Sequence, residues 1–413
     1  MNPNVPFLRP LIGQDEISEV VKTLESGWLT SGPQVKKFEE LFAKAVNADF
    51  AVALNSCTAA LHLAVNALGL KEGDAVLIPT MTFAATAEII LYKNAIPILV
   101  DCDPETGNMD LSDAEKKLHQ FYAGQIKNLK HKNSRVVGII PVHVGGYMMD
   151  IKAVREFATG HNLWVVEDAA HSFPAAWREN SFSAWQFCGD NTAEVSCYSF
   201  YANKTITTGE GGMAVTKSAE IAKRIRTMSL HGLSNDAWGR FSGKGAWDYK
   251  IIEPGFKYNL TDIAAAIGVH QLAKAEQMRV MRESVAKIYL EELAGIPEIE
   301  LPVWNEDRIH SWHLFPIRLN LDQLSIDRNT FMEELKVNGV GCSVHWRPLH
   351  LHPYYADDLK WESADFPQAT ELWERLVSLP IFPVITTEEI RHVVATVKQI
   401  CSTFSRIRSY QTV

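Results

Sequence analysis

The chain has few cysteines, and their spacing does not suggest a metal site. Only six occur in 413 residues, without a C-x-x-C pair. We therefore expect free, mostly buried thiols and no bound metal. Long apolar runs are also missing, because no stretch approaches the roughly 18 apolar residues of a membrane span. The first ten residues lack the charged start and apolar stretch of a signal peptide. These absences predict a soluble, cytoplasmic protein that does not enter a membrane.

An excess of basic residues is absent as well. Lysine and arginine total 40 against 49 aspartates and glutamates, which gives a formal net charge of −9. No basic cluster stands out against this acidic balance. A nucleic-acid partner is therefore not expected.

The composition is that of a folded protein, since 46% of the residues are hydrophobic and 22% are charged. Single hydrophobic cores stop growing beyond roughly 250–300 residues. A chain of this length is therefore expected to divide into two lobes.

Short apolar segments alternate with helical patterns through the first two thirds of the chain. This alternation predicts an α/β fold with a largely parallel sheet that helices cover on both faces. Ligands bind such sheets outside the carboxyl ends of the strands. The predicted strands are Phe50–Leu54, Ala75–Ile78, Pro97–Val100, Val136–Ile140, Leu163–Val166, Val195–Ser199 and Met213–Val215, and the helical patterns include Thr58–Leu68, Thr82–Lys93, Ile151–Gly160 and Ser218–Met228.

The pattern changes after about residue 260. Thr261–Met281 is predicted as one long helix, and Trp312–Leu319 resembles a strand. Further helices are expected near 327–337, 366–377 and 387–403, so this region is interpreted as a smaller α/β lobe. The stretch 178–194 has no clear period and is interpreted as a surface insertion.

The densest chemical signal is the segment Val195–Thr216. An apolar strand leads to Ser199, Lys204 follows in an otherwise uncharged loop, and a glycine-rich turn precedes another strand. A lysine with few charged neighbours near a buried strand loses its proton more readily, and a neutral amine is what Schiff-base chemistry needs. The alternative is an ordinary surface lysine in a turn.

A second signal is the acidic pair that follows the strand at Leu163–Val166. If the ligand is a pyridine, Asp168 can hold the ring nitrogen protonated and turn the ring into an electron sink. The alternative is a helix N-cap, because an aspartate before a helix satisfies free backbone donors.

Two further strand ends carry residues suited to a cofactor. Ser56 and Thr58 stand at a strand-to-helix junction, where a phosphate fits the positive end of the helix dipole. Without a ligand they would be ordinary helix caps. Phe83 follows the next strand and could lie flat against an aromatic ring, although core packing is the more common role of such a residue.

Together these segments resemble the DegT/DnrJ/EryC1/StrS family of pyridoxal phosphate (PLP)-dependent sugar-nucleotide aminotransferases. The resemblance covers nearly the whole chain. Its motifs are Gly27–Pro33, Phe38–Ala43, Ser56–Ala64, Gly73–Pro79, Pro141–Gly146, Glu167–His171, Ser199–Lys204, Thr207–Gly212, Tyr258–Gly268, Val344–Tyr355 and Leu379–Pro383.

The resemblance implies the fold-type-I aminotransferase architecture. Residues 1–265 would form the large PLP-binding domain, with an N-terminal arm and a mostly parallel seven-stranded sheet. Residues 266–413 would form the small C-terminal α/β domain. The active site of the family lies between two subunits, so a homodimer with shared sites is expected.

The resemblance also implies roles for single residues. Lys204 would bind PLP covalently and Asp168 would pair with the pyridine nitrogen. Phe83 would stack on the cofactor, and His171 would lie against it or near its phenolic oxygen. The phosphate would be held by Thr58, the Ala59 N–H and Ser199, joined by Asn259 of the partner subunit. The residues expected near the sugar nucleotide are Trp28, Thr30, Ser31, His345 and His352.

Three positions depart from the usual pattern of the family. Cys57 stands where glycine or serine is common, and His171 stands where glutamine is frequent. The stretch 178–190 is longer than the usual connection. Some relatives replace the lysine by histidine and catalyse dehydration, and Lys204 argues against that branch.

The activity implied is transfer of an amino group from L-glutamate to a keto-sugar nucleotide. The Gly27–Pro33 and His350–Tyr355 segments look most like those of members that act on C4, which favours that position over C3. A regulatory protein that keeps the fold without turnover is a different class of function, and the intact Lys204, Asp168 and Ser199 argue against it.

Overall fold

The computed structural model describes residues 3–126, 134–233 and 250–406. Twelve strands and thirteen α-helices are found in these ranges. The strands are Phe50–Leu54 (β1), Ala75–Pro79 (β2), Ile96–Val100 (β3), Val136–Ile139 (β4), Trp164–Asp168 (β5), Ala176–Trp177 (β6), Val195–Ser199 (β7), Gly212–Thr216 (β8), Ile299–Glu300 (β9), Arg308–Ile309 (β10), Phe315–Leu319 (β11) and Leu376–Leu379 (β12). The helices are Gln14–Glu25 (α1), Pro33–Ala45 (α2), Cys57–Ala67 (α3), Ala85–Leu91 (α4), Leu111–Tyr122 (α5), Ile151–His161 (α6), Ala219–Met228 (α7), Asp262–Ala273 (α8), Ala275–Glu292 (α9), Arg328–Val337 (α10), Pro353–Leu359 (α11), Pro367–Arg375 (α12) and Thr387–Phe404 (α13).

Seven strands form one large sheet in the order β1-β8-β7-β5-β4-β2-β3. Only β8 runs antiparallel to its neighbours, where it pairs with β1 and β7. The other neighbouring pairs are parallel. The predicted α/β class and the mostly parallel seven-stranded sheet are therefore confirmed. Since β1, β2, β5 and β7 run in the same direction, the residues that follow them meet at one edge.

Helices cover both faces of this sheet because the strands are apolar on both sides. On one face, α3 and α7 pack against the strands through residues such as Leu61, Val65 and Ile225. On the other face, α2 and α8 contribute Phe38 and Val269 to a second core. Because α3 follows β1 directly and packs on the sheet, the helix begins at the carboxyl edge of the sheet.

A separate core, apart from the two that cover the large sheet, surrounds the antiparallel sheet β12-β11-β9. Helices α9, α10 and α13 bury Tyr289, Phe331 and Val397 against it, and Val5 from the N-terminal region joins the same core. Helix α8 packs with the large sheet, through Ala265 and Val269. The domain division at residues 1–265 and 266–413 stays a prediction.

Four predicted elements differ from the structure. The helical pattern Thr82–Lys93 is the shorter helix α4, Ala85–Leu91. The expected helix Thr261–Met281 is two helices, α8 and α9, separated at Lys274. The expected strand Trp312–Leu319 begins only at Phe315 because Trp312 has a left-handed backbone with φ of 49°. The expected helix 366–377 ends at Arg375, since the following residues pair with β11 as strand β12.

The surface insertion at 178–194 lacks long regular elements, as expected. It is anchored where Trp177 pairs with Gln186 and with Arg308. All six cysteines are free, and four of them are buried. None of the described helices is both long and apolar enough to cross a membrane.

Candidate active site

The polar residues that follow the large-sheet strands meet in a cavity of about 500 Å³. Its walls come from the segments after β1, β2, β5 and β7, with contributions from the segment before β11 and from the loop between α10 and α11. The edge predicted to bind a ligand is therefore the edge that carries this cavity. The predicted site residues that line it are Thr58, Phe83, Asp168, His171, Ser199, Lys204 and His345.

Lys204 lies in a tight loop after β7. Its backbone N–H donates to the carbonyl of Tyr201 at 2.9 Å, and Thr208 N–H donates back to Phe200 O at 2.9 Å. Burial of the ammonium group lowers the pKa of Lys204 to about 8. The neutral amine is therefore far more abundant near neutral pH than for a surface lysine, as a nucleophile requires.

Asp168 ends strand β5 with its side chain buried. Oδ2 accepts a hydrogen bond from Thr86 Oγ1 at 2.9 Å, and Oδ1 accepts one from Ala170 N–H at 3.2 Å. Burial raises the pKa of Asp168, and the Thr86 hydrogen bond opposes that shift. No helix follows at residues 169–172, so the alternative role as a helix N-cap is wrong. A cation in the cavity would favour the ionised carboxylate.

The start of α3 forms another wall of the cavity. Ser56 caps this helix, because its Oγ accepts from the Ala59 N–H at 3.1 Å. The predicted phosphate donor Ala59 thus has an internal partner, and its role stays a prediction. Thr58 and Ser199 line the cavity at this end. Gly212 allows the close approach, since a Cβ there would lie 2.3 Å from the Ser56 carbonyl carbon.

Phe83 lies on the cavity wall with 63% of its surface exposed. A phenyl ring in the core would be almost fully covered, so the core-packing alternative is wrong. An exposed ring facing a cavity provides an apolar plane against which an aromatic ligand can stack.

Imidazole and indole rings form the opposite wall. The His171 ring stacks on Trp346, with centroids 4.9 Å apart, and its Nδ1 accepts from Gly145 N–H at 3.3 Å. Burial holds the pKa of His171 well below its usual value, and it lowers the pKa of His345 to about 4. Both imidazoles are therefore neutral at pH 7.

His313 was not predicted from the sequence, and it lies in the same wall. Its ring packs 4.1 Å from that of His171, and neither ring nitrogen has a hydrogen-bond partner among the described residues. The preceding Trp312 is in the left-handed region, and the buried Arg282 donates to its carbonyl at 3.2 Å. The sequence carries no signal for this role, because W-H-L-F-P-I-R-L resembles an ordinary strand.

Four predicted site residues, Trp28, Thr30, Ser31 and Asn259, lie together outside the cavity lining. Asn259 Nδ2 donates to Ser31 Oγ at 2.8 Å, and Trp28 Nε1 donates to the Ser31 carbonyl at 3.2 Å. The N-cap of α8 is Thr261, so Asn259 does not cap that helix. This group forms a second cluster, hereafter the Ser31–Asn259 cluster.

His352 also lies away from the cavity lining. Its Nε2 is 3.2 Å from the carbonyl oxygen of Arg347, and it borders a surface groove with Tyr92 and Tyr354. His345 and His352 were both expected near the sugar nucleotide, but only His345 lines the cavity.

The buried side chains His143, Glu167 and Cys188 have potential ligand atoms within 4.8 Å of one another. His143 Nδ1 accepts a hydrogen bond from Met149 N–H at 3.2 Å, so this nitrogen already has a partner. Nε2 faces Glu167 Oε1 at 3.5 Å. Burial raises the pKa of the Cys188 thiol, which disfavours the thiolate that a metal would need. We assign no metal to this cluster.

A largely parallel sheet with a buried lysine, an aspartate and a helix N-terminus at its carboxyl edge defines a fold-type-I PLP-dependent aminotransferase. The chain belongs to the DegT/DnrJ/EryC1/StrS aminotransferase family, whose model matches residues 10–398. This confirms the family predicted from the sequence motifs.

Two relatives align along nearly their whole length. Uncharacterized protein MJ1066 of Methanocaldococcus jannaschii is 44% identical over 398 residues, which cover 96% of this chain and 98% of that protein. The spore coat polysaccharide biosynthesis protein SpsC of Bacillus subtilis is 39% identical over 400 residues, with 97% of each chain covered.

Solved structures agree with this assignment. The PLP form of Spr1654 from Streptococcus pneumoniae is 29% identical, with a TM-score of 0.84 over 97% of this chain and 99% of that chain. The sugar aminotransferase CalS13 from Micromonospora echinospora is 28% identical, with a TM-score of 0.78 over 97% of this chain and all of that chain.

The protein is thus a PLP-dependent aminotransferase, and its cavity suits that cofactor. A carboxylate, an exposed phenyl ring and a partly neutral amine face one space from different strand ends. PLP has a ring nitrogen, an aromatic face and an aldehyde that match these three groups.

Proposed function

We propose that this enzyme transfers an amino group from L-glutamate to a keto-sugar nucleotide, at C4 of the sugar, in the cytoplasm. The single observation that carries the proposal is the meeting of Lys204, Asp168 and Phe83 in one cavity. The sugar class is supported by the names of SpsC and CalS13, which concern a polysaccharide and a sugar.

Within this proposal Lys204 performs two tasks. Its amine would bind the cofactor covalently, and once free it would take the proton from the α-carbon of glutamate and return it later in the reaction. PLP, when bound, supplies the electron-withdrawing ring that stabilises the carbanion. A pKa of about 8 gives Lys204 both protonation states near neutral pH, which suits a group that takes and returns a proton.

Asp168 and Phe83 would hold the cofactor ring. The Asp168 carboxylate would accept the hydrogen bond of the ring N–H and keep the ring cationic. Phe83 would cover one face of the ring, and Thr58 and Ser199 would bind the phosphate at the start of α3. His171, His313 and His345 border the remaining space, where the substrates would lie.

The Ser31–Asn259 cluster supports a shared site. Its residues do not line the cavity of their own chain. If they contact the phosphate and the sugar nucleotide, they have to do so in the cavity of a second copy. The proposed enzyme is therefore a homodimer in which each cavity is completed by the partner subunit.

Replacing Lys204 tests the proposal most directly. Lys204→Ala should remove the absorbance of covalently bound PLP and abolish transfer from glutamate, while the protein stays folded. The exposed Lys44→Ala is the matched control and should behave like the wild type. Normal turnover by Lys204→Ala would refute the assignment.

A panel of keto-sugar nucleotides tests the substrate. The enzyme is incubated with L-glutamate and either 4-keto or 3-keto sugar nucleotides, and 2-oxoglutarate is measured. Locating the new amine by NMR then distinguishes C4 from C3. If sugars of neither class support repeated release of 2-oxoglutarate, the proposed substrate is overturned. A protein that binds PLP without any turnover would favour the regulatory alternative.

A further inference from the structure

Two threonine hydroxyls lie behind the carboxylate of Asp168. Thr86 Oγ1 is 2.9 Å from Asp168 Oδ2, and Thr82 Oγ1 is 2.8 Å from Thr86 Oγ1. All three side chains are at least nine-tenths buried. Thr82 also lines the cavity, whereas Thr86 lies in the first turn of α4.

The chemistry of these groups fixes the direction of the hydrogen bonds. An ionised carboxylate can only accept, so the single hydroxyl proton of Thr86 is donated to Asp168. Thr86 can then only accept from Thr82, which makes Thr82 the donor. The hydrogen bonds therefore run from Thr82 to Thr86 to Asp168.

This arrangement also constrains the orientation of the carboxylate. Oδ2 is bound by Thr86, while Oδ1 is bound by the Ala170 N–H at 3.2 Å. With one hydrogen bond on each oxygen, rotation about the Cβ–Cγ bond would break both. The remaining lone pairs are left for a partner in the cavity.

We propose that Thr86, supported by Thr82, is a positioning residue that fixes the orientation and the negative charge of the Asp168 carboxylate toward the PLP ring nitrogen. This inference rests on the proposed role of Asp168. Burial raises the pKa of Asp168, and the Thr86 hydrogen bond is the largest of the effects that lower it. Without that bond the carboxylate would hold its own proton more readily and stabilise a pyridinium less well.

A simpler explanation is that the hydroxyls only satisfy one another in a buried place. Thr80 offers the matched control, because it is fully buried in the same segment and its hydroxyl lies 2.8 Å from His350 Nδ1. Thr80→Val also removes a buried hydroxyl, but one that does not touch Asp168. Thr80→Val should lower the melting temperature without changing the protonation of the cofactor ring nitrogen.

The experiment uses the full-length enzyme loaded with PLP that carries ¹⁵N at the ring nitrogen. The ¹⁵N chemical shift at fixed neutral pH distinguishes a protonated ring from an unprotonated one. Thr86→Val should move the shift toward that of the unprotonated ring and lower kcat by about 10- to 100-fold, as expected for a hydrogen bond to a charged group. Thr86→Ser should restore both values, and Thr82→Val should change them in the same direction but less.

The outcomes separate this inference from the proposal on which it depends. A wild-type ¹⁵N shift in both Thr86→Val and Thr82→Val would overturn the positioning role. Should Thr86→Val not fold, Thr82→Val decides the matter. Asp168→Asn is measured alongside, and a protonated ring in that variant would refute the role of Asp168 itself. An unprotonated ring in Asp168→Asn, combined with no change in the threonine variants, would refute only the inference drawn here.

Discussion

At the scale of single residues, burial of Lys204 makes the covalent uptake of PLP depend on pH. Burial lowers the pKa of this amine to about 8, and only the neutral amine attacks the aldehyde. We expect the rate of uptake by the cofactor-free enzyme to rise about tenfold per pH unit below that pKa and to level off above it. Stopped-flow absorbance between about pH 6 and pH 9 measures the rate.

The control for this prediction is Lys204→Ala under the same conditions. It reports any pH dependence of non-covalent PLP binding, which is subtracted from the wild-type rates. A corrected rate that stays flat, or one that rises only near the usual pKa of a surface lysine, would contradict the depressed pKa.

A second prediction at this scale concerns His313. Since neither ring nitrogen has a partner among the described residues, His313→Phe should leave the melting temperature nearly unchanged. If the nitrogens bind a substrate, kcat/KM should fall about tenfold or more. Steady-state kinetics with glutamate and with the sugar substrate identify which half of the reaction is affected.

His310→Phe is the matched control, because His310 Nδ1 accepts from Trp312 N–H at 2.8 Å. This variant removes a hydrogen bond that supports the turn, and it should lower the melting temperature. Unchanged kcat/KM for both substrates in His313→Phe would rule out a substrate contact at His313.

Lys204, Asp168 and Phe83 could be predicted because each closely follows an apolar strand, and the chemistry of each is readable at its own position. Thr86 and His313 could not. Thr86 acquires its role through a contact with Asp168, which is 82 positions away in the sequence. His313 is oriented by a backbone turn at Trp312, and no glycine or proline in the sequence predicts that turn. Local sequence carries the reactive groups but not the contacts that orient them.

At the scale of elements, the strands of the large sheet were predicted to within two residues because they are continuous apolar runs between turns. The elements outside this sheet that were predicted wrongly depend on contacts with residues distant in the sequence. Leu376–Leu379 leaves the preceding helix to pair with β11, in the register Val377 opposite Ile317. The break at Lys274 involves no glycine or proline, and its side chain forms an ion pair with the buried Glu16. Such tertiary contacts override the local helical pattern.

A prediction at this scale concerns Asp262, which caps α2 from another part of the chain. Its carboxylate accepts from the backbone N–H groups of Gly32, Gln34 and Val35 at 2.7, 3.1 and 3.0 Å. Asp262→Ala leaves these three donors, one buried and two half-buried, without the carboxylate, so we expect a loss of about 2 kcal/mol of stability or more. Thermal unfolding followed by circular dichroism measures the change.

Asp327→Ala is the control, since Asp327 is a local N-cap of α10 and accepts from the Thr330 N–H at 2.8 Å. Its melting temperature should fall less than that of Asp262→Ala. An equal or smaller effect at Asp262 would show that the long-range cap contributes no more than a local one.

At the scale of the whole molecule, apolar side chains on one face of α1 remain uncovered. Ile17, Val21 and Leu24 follow a helical i, i+4, i+7 spacing and are 51%, 45% and 50% exposed. They lie on the helix that leads to Trp28 and the Ser31–Asn259 cluster. In the proposed homodimer, a second copy of the chain would cover them and would bring that cluster to the other cavity.

Mixed dimers test this arrangement. Asn259→Asp removes the amide donors and adds a charge that repels phosphate, while Lys204→Ala removes the nucleophile. If Asn259 acts in the partner's cavity, a heterodimer of these two variants concentrates both defects in one site and leaves the other intact. A random mixture should then recover about a quarter of the wild-type activity, because half of the dimers are mixed and each has one intact site. Were Asn259 to act within its own chain, each site would carry one defect and the mixture would stay inactive. That result would refute the shared site, and so would a fully active monomer identified by ultracentrifugation. The Ser31–Asn259 cluster would then be only a structural support for α2.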